Sequence, residues 1–281
     1  MRVKACPAQL DGYGSMVADE EALIAAADAT TDAYAEEQAT NNVRVTREYL
    51  EAILRRTGSR SVLDVGCGVG VAITTLVADG YDAFGVDLAP LTQHWSRHDA
   101  ERSRFYVVDS LTLDLPFHDN TLDFAFTFGV IEHVGTTDGH ATRRSDYHEY
   151  RRQWLREIFR TIRPGGHMLI GGPNRRFPLD FSHGLDSRAS ALERWLSQLA
   201  RVTVHRTWGD YFLWSYDDIP KYLAGLPFRM EALSIRGLLK FGRVPRALRP
   251  LAALYVEKLP RWALASALNP WVMAMVRKEP A

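Results

Sequence analysis

The segment Asp64-Val65-Gly66-Cys67-Gly68-Val69-Gly70 sets three glycines at alternate positions, directly after the apolar run Ser61-Val62-Leu63 and before Val71-Ala72-Ile73-Thr74-Thr75-Leu76. The pattern predicts a strand that turns sharply into a helix with no side chains over the turn, so a large polar ligand has bare backbone to lie against. The spacing narrows the choice of ligand. In a dinucleotide fingerprint, G-x-G-x-x-G, the third glycine falls three residues after the second; counting from Gly68 that place is held by Val71 (68 + 3), and the glycine comes one residue early at Gly70. A phosphate-cradling loop needs Gly-Lys-Ser/Thr, and no lysine lies between Lys4 and Lys221. Asp64, just before the first glycine, would repel a pyrophosphate but suits a ligand that carries an ammonium group.

Composition excludes several other classes. The 281 residues are 46% hydrophobic, enough for one large domain or a domain with a cap. Lys+Arg and Asp+Glu number 34 each, a balance that argues against a non-specific nucleic-acid binder. Two distant cysteines, Cys6 and Cys67, offer neither a disulfide framework nor a zinc pattern. A reduced, cytoplasmic protein without a metal is therefore expected. The start, MRVKACPAQLDGYG, lacks the apolar stretch of a secretory signal, and no run approaches the roughly 20 apolar residues that span a bilayer. Residues 245–268, PRALRPLAALYVEKLPRWALASAL, are apolar on one side with Arg246, Arg249, Lys258 and Arg261 interspersed. They read as a surface helix pair packing on the core, with weak contact to a membrane surface as the alternative.

Along the chain, residues 17–39 are rich in Ala and Glu and read as helix, so 1–41 is expected to form an N-terminal helical cap. Residues 42–173 alternate strand-like and helix-like segments, with strands at Ser61–Val65, Asp82–Asp87, Arg104–Asp109, Leu122–Phe128 and His167–Gly172. Strands apolar on both faces and separated by helices indicate a parallel sheet covered on both sides. Arg163-Pro164-Gly165-Gly166 reads as a sharp break between the last helix and strand. Residues 174–218 turn aromatic and form a separate segment facing the substrate, and 219–281 complete the sheet with strands near Pro227–Ile235 and Trp271–Arg277.

Ligands of open α/β sheets bind beyond the carboxyl ends of the strands. The second strand ends in Asp87, 21 residues past Gly66 (87 − 66), a distance that suits a ribose diol; the third ends in Asp109-Ser110, placed to accept from an exocyclic amine; the fourth ends in Phe128-Gly129, followed by Ile131-Glu132-His133. An adenosine with a cationic tail meets these demands without a phosphate. SVLDVGCGVG, FGVD, YVVDSLTLDLPFHDNTLDF and IFRTIRPGGHMLIGGPN together resemble the successive motifs of the class I S-adenosylmethionine-dependent methyltransferases, notably the small-molecule group that includes quinone-biosynthesis enzymes. The resemblance implies a Rossmann-like α/β fold with a seven-stranded, mostly parallel sheet, helices on both faces and one antiparallel strand near the C-terminal edge. It also implies that Gly66, Gly68 and Gly70 line the methionine part of S-adenosylmethionine, with Asp64 orienting the loop or the ammonium group. Asp87 would hold the ribose hydroxyls and Asp109 with the Ser110 backbone the adenine, with Leu88 and Phe128 also among the cofactor-binding residues.

Proton removal from the acceptor then needs a base. His133 just past the fourth strand is the first candidate, because an imidazole titrates near neutrality, and His183 is the second, with His140 and Glu132 behind them. Arg175 and Arg176 would suit an anionic acceptor group. The reading is O-methylation of a small-molecule hydroxyl on a glycan, glycolipid or natural product. Carbon or nitrogen methylation of a quinone or other small molecule stays open, as does a catalytically silent cofactor-binding protein. No signal sets an oligomeric state.

Overall fold

The computed structural model describes residues 2–18, 40–109, 113–137, 139–242 and 244–280, the side chain of Ala89 excepted. Among these, one nine-stranded sheet organises the chain in the order β1-β2-β5-β4-β3-β6-β7-β11-β10. Its strands are β1 (Ala8–Leu10), β2 (Tyr13–Ser15), β3 (Ser61–Val65), β4 (Asp82–Asp87), β5 (Phe105–Val107), β6 (Leu122–Phe128), β7 (Ile162–Pro173), β10 (Phe228–Ala232) and β11 (Trp271–Lys278). From β5 to β10 the seven expected strands stand in order, with parallel pairing from β5 to β7. β11 inserts antiparallel between β7 and β10.

The extra two strands correct the expected seven and the expected helical cap at 1–41. Residues 8–15 form a hairpin whose second strand pairs parallel with β5. Its turn residues, Asp11 and Gly12, both have positive φ, at 52° and 81°. That is the type I′ geometry an Asp-Gly pair favours, because its twist matches that of the flanking strands. Val17 and Ala18 are not helical, and the helix expected over the rest of 17–39 lies outside the described residues.

Helices α1 (Glu51–Thr57), α2 (Val71–Ala78), α3 (Tyr147–Thr161), α4 (Ala191–Ala200), α5 (Asp218–Tyr222) and α6 (Arg249–Lys258) surround the sheet. Strand alternation divides the apolar residues between its faces: Leu63 and Val65 pack with Trp154, Leu155 and Ile158 of α3, while Val62 packs with Leu54 of α1 and Ile73 and Leu76 of α2. The Arg163-Pro164-Gly165-Gly166 break proves to be a bulge within β7: Leu122 pairs with Ile162 and Phe124 with His167, so two residues of β6 span five of β7. The aromatic segment carries a small sheet of β8 (Leu179–Asp180) and β9 (Thr203–Val204) next to α4.

Asp123 ties β6 to the start of β3. Its Oδ2 accepts from the Arg60 and Ser61 backbone N–H groups, both at 2.9 Å, and its Oδ1 from Arg163 Nε at 2.6 Å. Burial alone would raise its pKa, but the Arg163 guanidinium and the two backbone donors outweigh it and hold the carboxyl down at about 2. A depressed carboxyl contributes stability above its unfolded pKa of about 4, and that stability is lost as pH falls to about 2. Asp123→Asn should therefore cost about 2 kcal/mol at neutral pH and flatten the acid limb of the stability curve; a variant as stable as the parent in urea titrations at pH 7 contradicts the clamp.

Candidate active site

The loop 66–70 leaves β3 at the carboxyl edge of the sheet. Gly66, Gly68 and Gly70 have φ of 87°, 54° and 81°, the left-handed region that glycine enters without a Cβ penalty. At Gly66 the need is also steric, since a Cβ would stand 2.3 Å from Val130 Cγ2. The loop is fixed from behind. Trp95 Nε1 donates to Gly68 O at 2.8 Å, His98 Nε2 lies 3.2 Å from Val69 O, and Gly68 N donates to Asp87 Oδ2 at 2.6 Å. The other Asp87 oxygen accepts from Leu88 N at 2.7 Å. Each carboxylate oxygen has a second lone-pair direction, so these bonds leave Asp87 able to accept from a ligand diol.

Asp64 is buried on β3, and burial pushes its carboxyl well above the usual range, with the Asp87 charge adding to the effect. Burial also raises Asp87, against the two backbone donors. No basic side chain figures among the groups acting on either. A buried acidic pair beside bare backbone, without a cation of its own, fits a ligand with an ammonium or sulfonium centre and disfavours a pyrophosphate. Cys67, in the same loop, is buried with its thiol pKa pushed well up, as suits a filler rather than a nucleophile. Phe128 closes β6, its ring 5.4 Å from that of Phe126. Asp109 stands half-buried two residues past β5, and Ser110 lies outside the described residues.

Beyond β6 a second cluster gathers. Glu132 has 0% exposure, and neither of its carboxyl oxygens has a hydrogen-bond partner. Burial pushes its pKa up to about 7, against the opposing influence of His183. His183 Nε2 lies 3.8 Å from Glu132 Oε1, and its Nδ1 lies 3.0 Å from Asp180 Oδ2. Asp180 is held in turn by the backbone N–H groups of Ser182 and His183. The ring of His133 stands 5.4 Å from that of His183, with Nδ1 bonded to Gly139 O. Burial first, and then the neighbouring His183, push the pKa of His133 down to about 4, so it is neutral at pH 7 and a weak base. The two histidines singled out from sequence, fifty positions apart (183 − 133), are thus neighbours, with Glu132 and Asp180 beside them. Glu132, His133 and His183 also present ligand atoms within 4.8 Å of one another, close enough to hold a cation, a grouping that cysteine spacing could not reveal.

Two residues missed in the sequence build this cluster. Arg151 of α3, fully buried, donates to Glu132 O at 3.0 Å, Val134 O at 3.1 Å and Phe212 O, stapling the loop after β6 to the aromatic segment. Trp214, also fully buried, has an unpartnered Nε1. A Cβ on Gly172 would come within 2.5 Å of that nitrogen and 3.0 Å of Glu132 Oε2, so glycine is required between them. The Gly171-Gly172 pair at the end of β7 is a visible signal for Trp214, whereas nothing in the local sequence marks Arg151. Arg175 and Arg176 are already matched by Asp218 at 3.1 Å and Asp217 at 2.9 Å, which weakens them as anion holders.

The fold is a Rossmann-like domain with a glycine loop and a buried acidic pair at the carboxyl edge of its sheet, and a cluster of Glu132, His133, Asp180 and His183 past the end of β6. Residues 63–170 match the family described as Methyltransferase domain. A protein of Mycolicibacterium smegmatis named as a probable S-adenosylmethionine-dependent methyltransferase is 28% identical over 137 residues, covering 49% of this chain and 46% of that protein. The demethylmenaquinone methyltransferase of Tropheryma whipplei is 25% identical over 114 residues, 41% of this chain and 42% of that one. A solved phosphoethanolamine N-methyltransferase 2 of Haemonchus contortus, in complex with S-adenosylmethionine, has 19% identity, covers 82% of this chain and 52% of that chain, and has a TM-score of 0.45. The chain spans about half the length of the curated relatives it matches. Residues 63–170 thus carry a methyltransferase domain similar to those of S-adenosylmethionine-dependent methyltransferases.

Asp87→Ala tests the expected role of Asp87 as ribose acceptor and also removes the brace on Gly68. Calorimetry should show the dissociation constant for S-adenosylmethionine raised by about tenfold or more, as expected for a charge-assisted bond worth 1.5 to 3 kcal/mol, with an unchanged circular dichroism spectrum. An unaltered constant removes Asp87 from the pocket.

Proposed function

We propose that the chain is an S-adenosylmethionine-dependent methyltransferase that methylates a hydroxyl of a small molecule, with His183 taking the hydroxyl proton. The supporting observation is the line of Asp180, the part-buried His183 and the buried Glu132 past the end of β6. Bound S-adenosylmethionine supplies an electrophilic methyl group on a sulfonium that leaves as a neutral thioether, and positioning then provides much of the acceleration. Asp64, Asp87 and the bare loop hold that cofactor, while Asp109 reaches its adenine and Phe128 flanks it. A hydroxyl needs more than positioning, because its proton must leave as the new carbon–oxygen bond forms.

Asp180, accepting from His183 Nδ1, fixes the ring so that Nε2 is the nitrogen offered to the acceptor. His183 Nε2 and Glu132 Oε1 stand 3.8 Å apart, so an acceptor oxygen beside them can approach both groups at once. Glu132, with a pKa of about 7, can share or relay the proton near neutrality. Neutral His133 serves better as a polar wall than as the base. The relatives' names span a glycine nitrogen and a menaquinone precursor, so kinship leaves the acceptor atom open. The acid-base line favours oxygen, since a neutral amine presents its lone pair without such help.

Incubation of metabolite extracts with cofactor labelled in the methyl group identifies the acceptor and the atom modified. On that acceptor, His183→Asn should lower the rate by about 10²- to 10⁴-fold at unchanged cofactor affinity, and His133→Asn by less than about tenfold. Activity should also survive chelation. A fully active His183→Asn enzyme sinks the assignment, and activity lost to chelator and restored by a divalent cation reassigns the cluster as metal ligands.

A further inference from the structure

The eleven exposed large hydrophobic side chains among the described residues all fall between Leu179 and Leu268, outside the segment 63–170 that carries the cofactor pocket. The densest group lies on and around α6. This helix faces outward: Leu251 and Leu254 are 65% and 54% exposed, while Val256 and the following Leu259 turn inward. Leu251, Leu254, Tyr255, Leu259, Pro260 and Leu268 line an open apolar depression of about 360 Å³. Trp262, 75% exposed, lies just beyond the helix. The expectation that 245–268 packs on the core therefore holds for one side of the helix only.

Charge identifies what covers the other side. From Arg236 to Leu268 the sequence holds seven basic residues and one acidic one, Glu257, a net charge of +6 (7 − 1) in 33 residues, although the whole chain sums to zero (34 − 34). A symmetric contact with a second copy would set this basic segment against itself, which like-charge repulsion opposes. An apolar face of leucines, with a tryptophan beside it and arginines and lysines around it, matches the interface of an anionic bilayer: tails accept the leucines, the headgroup layer the indole, and lipid phosphates the cations. No described helix is long and apolar enough to cross a membrane, so such contact would lie in the interface plane.

We infer that the α6 surface, residues 246–268, docks the protein on an anionic lipid surface. The inference rests on this face alone and is independent of the methyl-transfer reading. The test is cosedimentation of the full chain with sucrose-loaded vesicles of phosphatidylcholine, with and without phosphatidylglycerol. Anionic vesicles should bind the protein about tenfold or more tightly than neutral ones, with the preference falling as salt rises. The double variant Leu251→Glu/Leu254→Glu should lose this binding while keeping the parent's melting temperature, because both side chains are exposed. Equal binding of parent and variant, or no binding to anionic vesicles, overturns the inference. So does a dimer in light scattering that the same variant dissociates while vesicles bind neither form, since the patch would then be a contact between copies.

Discussion

The 2.6 Å hydrogen bond from the Gly68 amide to Asp87 joins the two strand ends on which the site depends. It holds the glycine loop against the end of β4, and the loop can reach that position only because its three glycines accept positive φ. Trp95 anchors the loop carbonyl from behind, and its ring stacks on Phe105 at 5.2 Å, so the cofactor loop is braced by the aromatic core beneath β5. A side chain at Gly66 would push into Val130, at the start of the loop that carries Glu132. The glycine loop and the loop after β6 are thus packed against each other at this point.

Arg151 supplies the second constraint. A buried guanidinium satisfied by carbonyls of the loop after β6 and of the aromatic segment makes those two pieces one unit, and removing it would leave three buried carbonyls short of a donor. Within that unit, Glu132 and Trp214 keep polar atoms unpartnered on either side of Gly172. Buried polar groups without partners are costly, and a site that leaves them waiting has a natural use for them in an incoming acceptor.

The strands of the cofactor half were legible because burial on both faces leaves an apolar signature that local sequence carries unaided; β3, β4 and β6 fall on the segments expected. The glycine spacing likewise distinguished the ligand class before any geometry. The hairpin at 8–15 was written in Asp11-Gly12, but its flanks, Ala-Gln-Leu and Tyr-Gly-Ser, lack the β-branched residues that mark strands, and parallel pairing with β5 is a long-range fact. The clamp at Asp123 has no local signature because its partners, Arg60 and Ser61, lie some sixty positions away. The link between Glu132 and His183 was hidden for the same reason, since only the return of β7 along β6 brings the aromatic segment beside the end of β6. The amphipathicity of 245–268 was visible, but which side faces outward is decided by packing, which periodicity does not record.

The central claim is that one edge of the sheet holds the methyl donor with its sulfur facing the Glu132 and His183 cluster. A crystal structure with S-adenosylhomocysteine bound tests it most directly. The account predicts the amino-acid tail over Gly66–Gly70 beside Asp64, the ribose on Asp87, and the sulfur open toward Glu132 and His183. A ligand seated elsewhere, or one whose sulfur turns away from those two residues, would contradict it.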